Sequence, residues 1–233
     1  MDARSTADEL RCLRTAFALR AARAPPACAV VGGVGASSAS APGPLFSASA
    51  RNARAGAEPA ESPATRDRLL SLLSSSGAPF RLSSHAATRT SAESAAVRGV
   101  PLASGAKALL VKASGGRLLA HGGPFLLAVM SAAVAVDWKA LRAAAGCKQL
   151  ALAALEDVWA LTGCVVGAVP PFGSLFAGCA TLVDRSLLDQ GPEINFNAAL
   201  RTESVLGLPV AAYLALEKPA LANFTTAEEV AAQ

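Results

Sequence analysis

The sequence has few of the residues from which metal sites, disulfide scaffolds and membrane spans are built. It holds two histidines and five cysteines, and no two cysteines lie two or three positions apart. A zinc site is therefore not predicted, nor any other metal or cofactor. An odd number of widely spaced thiols fits a reducing compartment better than a disulfide scaffold. The longest apolar runs reach about thirteen residues, short of the roughly twenty that a membrane helix needs, so no transmembrane segment is predicted.

Charged residues are also scarce, at 16% of the chain against 52% hydrophobic residues. Seven arginines and four acids fall in the first sixty positions, which leaves fourteen basic and thirteen acidic side chains for the rest. A nearly neutral folded part argues against a protein that neutralises many duplex phosphates, but permits one that holds only the end of an RNA strand. The length and hydrophobic content suffice for one sizeable core.

Residues 1–60 are rich in alanine, serine and arginine, and no acid lies between Arg11 and Ala57. Such a composition is typical of a disordered extension or an organellar transit peptide. Three acids among the first ten residues speak against a transit peptide, and both interpretations stay open. We expect a single domain over 61–233 in a cytoplasmic protein, or in a mitochondrial or plastid one if the extension is a targeting segment.

Beyond residue 60 the periodicity predicts short helices alternating with strands. Leucines before Gly77 predict a helix over 65–77, and Thr90 and Glu93 are spaced as the capping box of a second helix rather than as pocket residues. The pattern favours an α/β or α+β domain with a mixed sheet and flanking helices. Further strands are predicted at 80–85, 106–112, 117–120, 125–130, 181–188 and 193–197, and further helices at 137–146, 155–163 and 210–216.

Several of these segments occur together, in an order and spacing that resemble one family. The segments are RTSAESAAVRGVPLASGAKALLVK (89–112), DWKALRAAAG (137–146), LTGCVVGAVPPFG (161–173), TLVDRSLL (181–188) and EINFNAA (193–199). The set resembles the YbaK/ProX-type aminoacyl-tRNA deacylases, relatives of the editing domain of bacterial prolyl-tRNA synthetases, over roughly 65–225. The resemblance implies a compact mixed fold with a central, partly barrel-like sheet. It also implies hydrolysis of the ester that joins a wrong amino acid to tRNA, commonly alanine or cysteine on a proline tRNA.

The uncharged stretch GAVPPFG is the first candidate for the site. Glycine lets the backbone approach a ligand with φ > 0, and proline removes a donor and fixes the turn. The stretch can therefore form a rigid pocket wall whose polar groups are main-chain amides and carbonyls. The resemblance implies that Gly167, Ala168, Val169, Phe172 and Gly173 lie against the aminoacyl group and its ester. A tight turn without a ligand is the alternative that the residues themselves leave open.

Lys107 begins the predicted strand 106–112, where the resemblance implies a catalytically required lysine. Its ammonium is expected to stabilise the oxyanion of the tetrahedral intermediate, or to anchor the 3'-terminal phosphate or ribose. A solvated lysine at a strand edge is the structural alternative. Lys112 follows five residues later, so period-two alternation sends the two side chains to opposite faces and only one should serve the pocket.

Three polar residues complete the expected substrate-binding set. The resemblance implies that His85 lines the cleft, whereas His121 is expected in a surface loop. Asp184 is expected to orient water or the substrate's amino group, with a helix cap as the alternative. Asn197 stands where some alanine-specific relatives carry a histidine. Its amide can bond the substrate but cannot titrate near neutral pH, so it would select rather than catalyse.

The sequence lacks a protein nucleophile of the familiar kinds. It has no G-x-S-x-G elbow and no apparent Ser-His-Asp set, and Cys164 is interpreted as a buried apolar filler. Because the ester is already activated, a positioned water or the vicinal ribose hydroxyl can carry the proton. The expected partners are the CCA end of an aminoacyl-tRNA and a synthetase, with neither DNA nor a membrane. A non-catalytic adaptor that binds tRNA or a synthetase is the alternative.

Overall fold

The computed structural model describes residues 61, 63–116 and 123–227. The predicted extension 1–60, the predicted strand 117–120 and His121 lie outside the described residues. The helices in the described part are α1 (Pro63–Ser76), α2 (Ser91–Arg98), α3 (Trp138–Ala145), α4 (Leu155–Thr162), α5 (Ser186–Asp189) and α6 (Val210–Glu217). The strands are β1 (Arg81–Ser84), β2 (Ala106–Gly116), β3 (Phe125–Ser131), β4 (Val134–Val136), β5 (Cys147–Leu152), β6 (Cys179–Asp184), β7 (Glu193–Asn197), β8 (Glu203–Pro209), β9 (Ala220–Ala222) and β10 (Thr225–Ala227).

The described strands form three sheets. A five-stranded sheet has the order β5-β2-β3-β6-β9, with antiparallel pairing on both sides of β2 and parallel pairing on both sides of β6. A three-stranded antiparallel sheet has the order β1-β8-β7, and β4 pairs with β10. A parallel bridge between Gly105 and Asn195 connects the start of β2 to β7. The mixed α+β architecture is confirmed, but the described strands do not close into a barrel.

Local signals in the sequence fix where two helices begin and end. The Thr90 hydroxyl accepts the Glu93 amide proton, and the Glu93 carboxylate accepts the Thr90 amide proton, which confirms the capping box of α2. Gly99 then ends the helix in the left-handed region, with φ of 67°. Asp137 caps α3 in the predicted way, because its carboxylate accepts the amide protons of Lys139 and Ala140. Both caps satisfy helix donors that would otherwise have no partner.

Alternation along β2 divides the interior into two hydrophobic clusters. On one face of the five-stranded sheet, Leu110 belongs to the main cluster, which also contains Leu69 of α1 and Tyr213 of α6. On the other face, Val111 belongs to a second cluster with Leu141 of α3. Each fully buried side chain of this size contributes roughly 1.5–3 kcal/mol. The face that a β2 residue occupies therefore decides which part of the molecule its side chain can reach.

Among the helices that the structure describes, none combines the length and the apolar character needed to cross a membrane.

Candidate active site

The loop that follows α4 has an exposed tip and a buried wall. Val166 and Gly167 are exposed, whereas Ala168 and the segment 170–173 are buried. The tip is a hydrogen-bonded turn in which the Ala168 amide donates to the Val165 carbonyl at 3.0 Å. Gly167 has φ of +89°, a conformation that side chains with a Cβ rarely adopt. The tip is thus the part of the predicted pocket wall that a ligand can touch.

Two of the predicted substrate-binding residues instead support the wall from inside the core. Phe172 is 0% exposed and makes edge-to-face contacts with Phe196 and Tyr213, with ring centroids 5.8 Å and 5.1 Å apart. Gly173 is buried, and a Cβ there would collide with the Thr181 hydroxyl. Neither residue is exposed in this structure, and the contact of Phe172 and Gly173 with the aminoacyl group stays a prediction. Val169 is half-buried and packs against the core clusters.

A buried carboxylate holds the far end of the loop. Glu217, which is 2% exposed, accepts hydrogen bonds from the Ser174 amide at 3.1 Å and from the Ser174 hydroxyl at 2.5 Å. It also accepts the Thr181 hydroxyl at 2.5 Å, and the Gly173 amide donates to that hydroxyl at 3.1 Å. The Tyr213 hydroxyl donates to the Pro171 carbonyl at 2.8 Å. These bonds fix the backbone of the buried wall to α6 and β6.

A polar network joins the loop tip to the three-stranded sheet. The Asn197 amide donates to the Gly167 carbonyl at 2.7 Å. The Arg98 Nε donates to the Ser204 hydroxyl at 2.8 Å, and the Arg98 Nη2 donates to the Asn197 side-chain oxygen. His85 completes the network through its Nε2, which is 2.7 Å from the Ser204 hydroxyl. The structure therefore brings three predicted residues, His85, Gly167 and Asn197, into one cluster.

The geometry assigns the proton of neutral His85 to one ring nitrogen. Nδ1 is 2.8 Å from the Ala86 carbonyl, and a carbonyl can only accept, so Nδ1 carries the hydrogen. In the neutral form, Nε2 is then the acceptor for the Ser204 hydroxyl proton. His85 consequently holds Ser204 in place beneath Arg98.

Arg98 is the cation of this network, and Arg98 and Ser204 are the site residues that the sequence reasoning missed. Burial lowers the pKa of the Arg98 guanidinium to about 10, so it is still charged at neutral pH. In the described part of the chain no carboxylate forms an ion pair with it. The capping box and Gly99 did predict a helix ending at Arg98, but the contact of the Arg98 side chain with Ser204 of β8 depends on the tertiary fold.

A second arginine lies at the loop tip. Arg201 donates from Nε and Nη2 to the Val166 carbonyl, at 3.1 Å and 2.7 Å. Its Nε would be 4.0 Å from a Cβ placed on Gly167. The exposed tip is therefore bordered by positive charge.

Lys107 lies on the opposite face of the five-stranded sheet from the loop. It shares its face with Val111 of the second cluster, whereas Val169 and Phe172 of the loop pack with the main cluster. Its Nζ donates to the Val134 carbonyl at 2.5 Å. The structure does not bring Lys107 to the loop, because alternation along β2 turns its side chain away. Its catalytic role stays a prediction.

Two other charged residues have structural roles in this structure. Lys112 forms an ion pair with Asp157 at 2.8 Å and lies over the Phe125 ring, on the face opposite to that of Lys107, in agreement with the alternation. Asp184 is 2% exposed and accepts hydrogen bonds from the Ser186 amide at 2.9 Å and the Phe224 amide at 2.5 Å. The capping alternative for Asp184 is thus the one that the geometry favours.

A cleft of about 560 Å³ lies next to the polar network and contains none of the predicted site residues. It is lined by residues of β1, β7 and β8 and by the turn after α2, including Arg81, Val100, Asn195 and Leu206. No cluster of three or more His, Cys, Asp or Glu side chains suited to a metal ion occurs within the described residues.

Comparisons with known proteins agree with this architecture. The family model of the aminoacyl-tRNA editing domain matches residues 85–212. The chain is 37% identical over 167 residues to the multifunctional Ser/Thr-tRNA deacylase ProXp-y of Escherichia coli K12, covering 72% of this chain and 96% of the relative.

Two solved structures share the fold. One is the structure of a hypothetical protein, with a TM-score of 0.58 and 23% sequence identity; the match covers 68% of this chain and 99% of the hypothetical protein's chain. The other is the structure of a protein proposed to be a trans-editing enzyme for prolyl-tRNA synthetase, with a TM-score of 0.57 and 24% sequence identity. The match covers 72% of this chain and 99% of that protein's chain. The family model and the 37% identity show that the chain belongs to the aminoacyl-tRNA editing domain family, and the solved structures agree in fold. It is a hydrolase that acts on the ester bond of aminoacyl-tRNA.

Proposed function

We propose that this deacylase acts in trans on mischarged tRNA and releases serine or threonine. The supporting observation is the 37% identity to a Ser/Thr-tRNA deacylase, of which the chain covers 96%. The family resemblance in the sequence favoured alanine or cysteine on a proline tRNA, so these amino acids are the competing substrates in the test below.

The loop tip supports placing the aminoacyl group there. An aminoacyl ester carries a positive ammonium group and a carbonyl that becomes negative in the transition state. The tip offers the Gly167 carbonyl as an acceptor, with one lone pair beyond the one that Asn197 uses, whereas the Val166 carbonyl already accepts two hydrogen bonds from Arg201. Arg98 and Arg201 provide nearby positive charge. Main-chain groups held by buried bonds are preorganised, which reduces the ordering cost when substrate binds.

The proposed reaction needs no covalent intermediate with the protein. Water attacks the ester carbonyl, the bond between that carbon and the ribose oxygen breaks, and the ribose hydroxyl leaves with a proton. The amino acid is released as its carboxylate, and the second proton of the water passes to solvent. For Lys107 to stabilise the oxyanion, its ammonium would have to leave the Val134 carbonyl and reach the other face of the sheet, so its contribution is tested separately.

A panel of one tRNA charged in turn with Ser, Thr, Ala, Cys and Pro tests the proposal. We expect release of Ser and Thr at least tenfold faster than release of Pro, measured as loss of acid-precipitable labelled amino acid. Lys107→Ala is compared with Lys112→Ala, a control on the face of β2 opposite to Lys107, which pairs with Asp157 and which we expect to stay within about twofold of wild type. Release of Ala or Cys without Ser or Thr would overturn the substrate assignment. Binding without release of any amino acid would instead indicate the adaptor.

A further inference from the structure

The three-stranded sheet has an inner face in the core and an outer face turned toward α2. Phe196 and Val205 point inward into the main cluster. Asn197 and Ser204, which pair directly in the register, point outward and contact Arg98. The same outer face continues along β7 to Asn195, which lines the cleft described above. The loop tip and Arg98 therefore meet at Asn197, and the cleft begins two residues away along the same strand.

Arg98 keeps hydrogen-bonding capacity for a ligand. Its Nε and one Nη2 hydrogen are used within the network, while Nη1 makes no hydrogen bond to a described residue. Arg98 is half-buried, and no fully buried side-chain nitrogen or oxygen in the described part of the chain lacks a partner, so Nη1 is not sealed inside the protein. The guanidinium is thus fixed on one edge by Ser204 and Asn197 and presents its other edge outward.

The chemistry of that outward edge suits a phosphate. A guanidinium offers parallel N–H donors that match the oxygens of phosphate. Arg98 has no carboxylate partner in the described residues to compete for them. An RNA 3' end has a phosphodiester on the 5' side of the terminal nucleoside, whose ribose bears the aminoacyl ester. A ligand with its ester at the loop tip would run along this face past Arg98.

We propose that Arg98 binds a phosphodiester of the RNA 3' end, with the aminoacyl group at the Gly167 tip and an adjoining nucleotide in the cleft. This inference rests on the proposed function for the position of the ester. It assigns Arg98 to RNA binding, as the fixed cation that orients the strand relative to the loop.

The test measures binding of the full chain to an uncharged RNA oligonucleotide ending in CCA, as a function of salt. Each phosphate contact on a single strand contributes about −0.7 to the slope of log K against log salt. We expect Arg98→Gln to weaken binding about 5- to 20-fold at low salt and to reduce the steepness of that slope by about 0.7. Arg142→Gln, on the exposed side of α3, is the matched control and should leave both values unchanged.

Uncharged linkages in the RNA oligonucleotide identify the phosphate that Arg98 contacts without any change to the protein. Replacing the final phosphodiesters of the oligonucleotide one at a time by methylphosphonate should weaken wild-type binding most at one position. At that position Arg98→Gln should add little further loss, because the two changes remove the same contact. Equal losses in wild type and variant at every position would overturn the proposal, as would an unchanged salt slope.

The two proposals fail independently. Because the oligonucleotide carries no ester, its binding does not depend on turnover. If Arg98→Gln weakens binding as expected but the protein releases no amino acid, only the proposed function is rejected. Arg98→Lys is the second variant, in case glutamine disturbs the network. It keeps the charge but loses the fork, and we expect it to retain the salt slope while binding several-fold more weakly.

Discussion

The thiol of Cys164 lies inside the loop segment, completely buried. Desolvation raises its pKa to about 11, so about one molecule in a thousand carries the thiolate at pH 8. We expect Cys164→Ala to keep deacylation within about twofold of wild type, with a modest loss of stability from the small cavity. Iodoacetamide at pH 8, followed by peptide mass spectrometry, should label the half-exposed Cys147 before Cys164. Loss of activity in Cys164→Ala with an unchanged melting temperature would contradict this.

At the residue scale, the sequence predicted the types of side chain that form the site more accurately than the particular residues. A fixed cation near the loop was expected, and the structure provides Arg98 and Arg201 rather than Lys107. Alternation predicts that Lys107 and Lys112 occupy opposite faces, but it cannot say which face meets the loop. That choice depends on where α4 and its loop pack, which is set by contacts far apart in the chain, such as Asn197 with Gly167.

The capping box of α2 connects helix stability to the RNA-binding surface, because Arg98 lies in the last turn of the same helix. Thr90→Ala removes the acceptor for the Glu93 amide and should lower the free energy of unfolding by about 1 kcal/mol. Urea denaturation measures this, with Thr90→Ser, which retains a hydroxyl cap, as the control. We also expect weaker oligonucleotide binding in Thr90→Ala. Equal stability of the alanine and serine variants would show that the cap contributes nothing.

At the scale of elements, segments with capping or alternation signals were predicted, whereas several strands were not, among them β5 and β8 as well as the shortest ones. The predicted helices around α1, α3, α4 and α6 and the strands around β1, β2, β3 and β7 are confirmed. The strand predicted over 181–188 divides at Asp184 into β6 and α5, because that carboxylate caps the turn that follows. Three-residue strands such as β4 and β10 were missed, since so few residues show no alternation and only pairing defines them.

At the scale of the whole molecule, one carboxylate connects the last helix of the core to the loop wall. Glu217 accepts three hydrogen bonds from Ser174 and Thr181 while almost fully buried. In Glu217→Gln the Ser174 hydroxyl must turn to accept from the amide nitrogen, and all three hydrogen bonds lose the negative charge that strengthens them, which should cost about 1–3 kcal/mol. Urea denaturation would show this loss, whereas the exposed Glu156→Gln should change stability by less than about 0.5 kcal/mol.

A displaced wall should also affect catalysis in Glu217→Gln. We expect kcat/KM for deacylation to fall more than the affinity for uncharged oligonucleotide, because the wall supports the loop tip at which we place the acyl group, whereas the strand lies at Arg98. Unchanged stability and unchanged kcat/KM together would contradict the assignment of Glu217 as a positioning residue.

Neither the network around Arg98 nor the Glu217 contacts could be predicted from the chain alone. His85 and Ser204 are 119 positions apart, and Ser174 and Glu217 are 43 apart. No local pattern specifies such pairs, because they arise from the packing of whole sheets and helices against one another. The family resemblance supplied the loop and its order in the chain, whereas the contacts that hold it are visible only in three dimensions.

The division of one short loop into an exposed tip and an anchored wall also bears on how such enzymes diversify. Val166 is about half exposed, and Arg201 holds its backbone carbonyl, so changes to its side chain should leave the buried scaffold beneath intact. A saturation library at this single codon, selected for growth on a toxic amino-acid analogue, is therefore a short route to deacylases with new preferences.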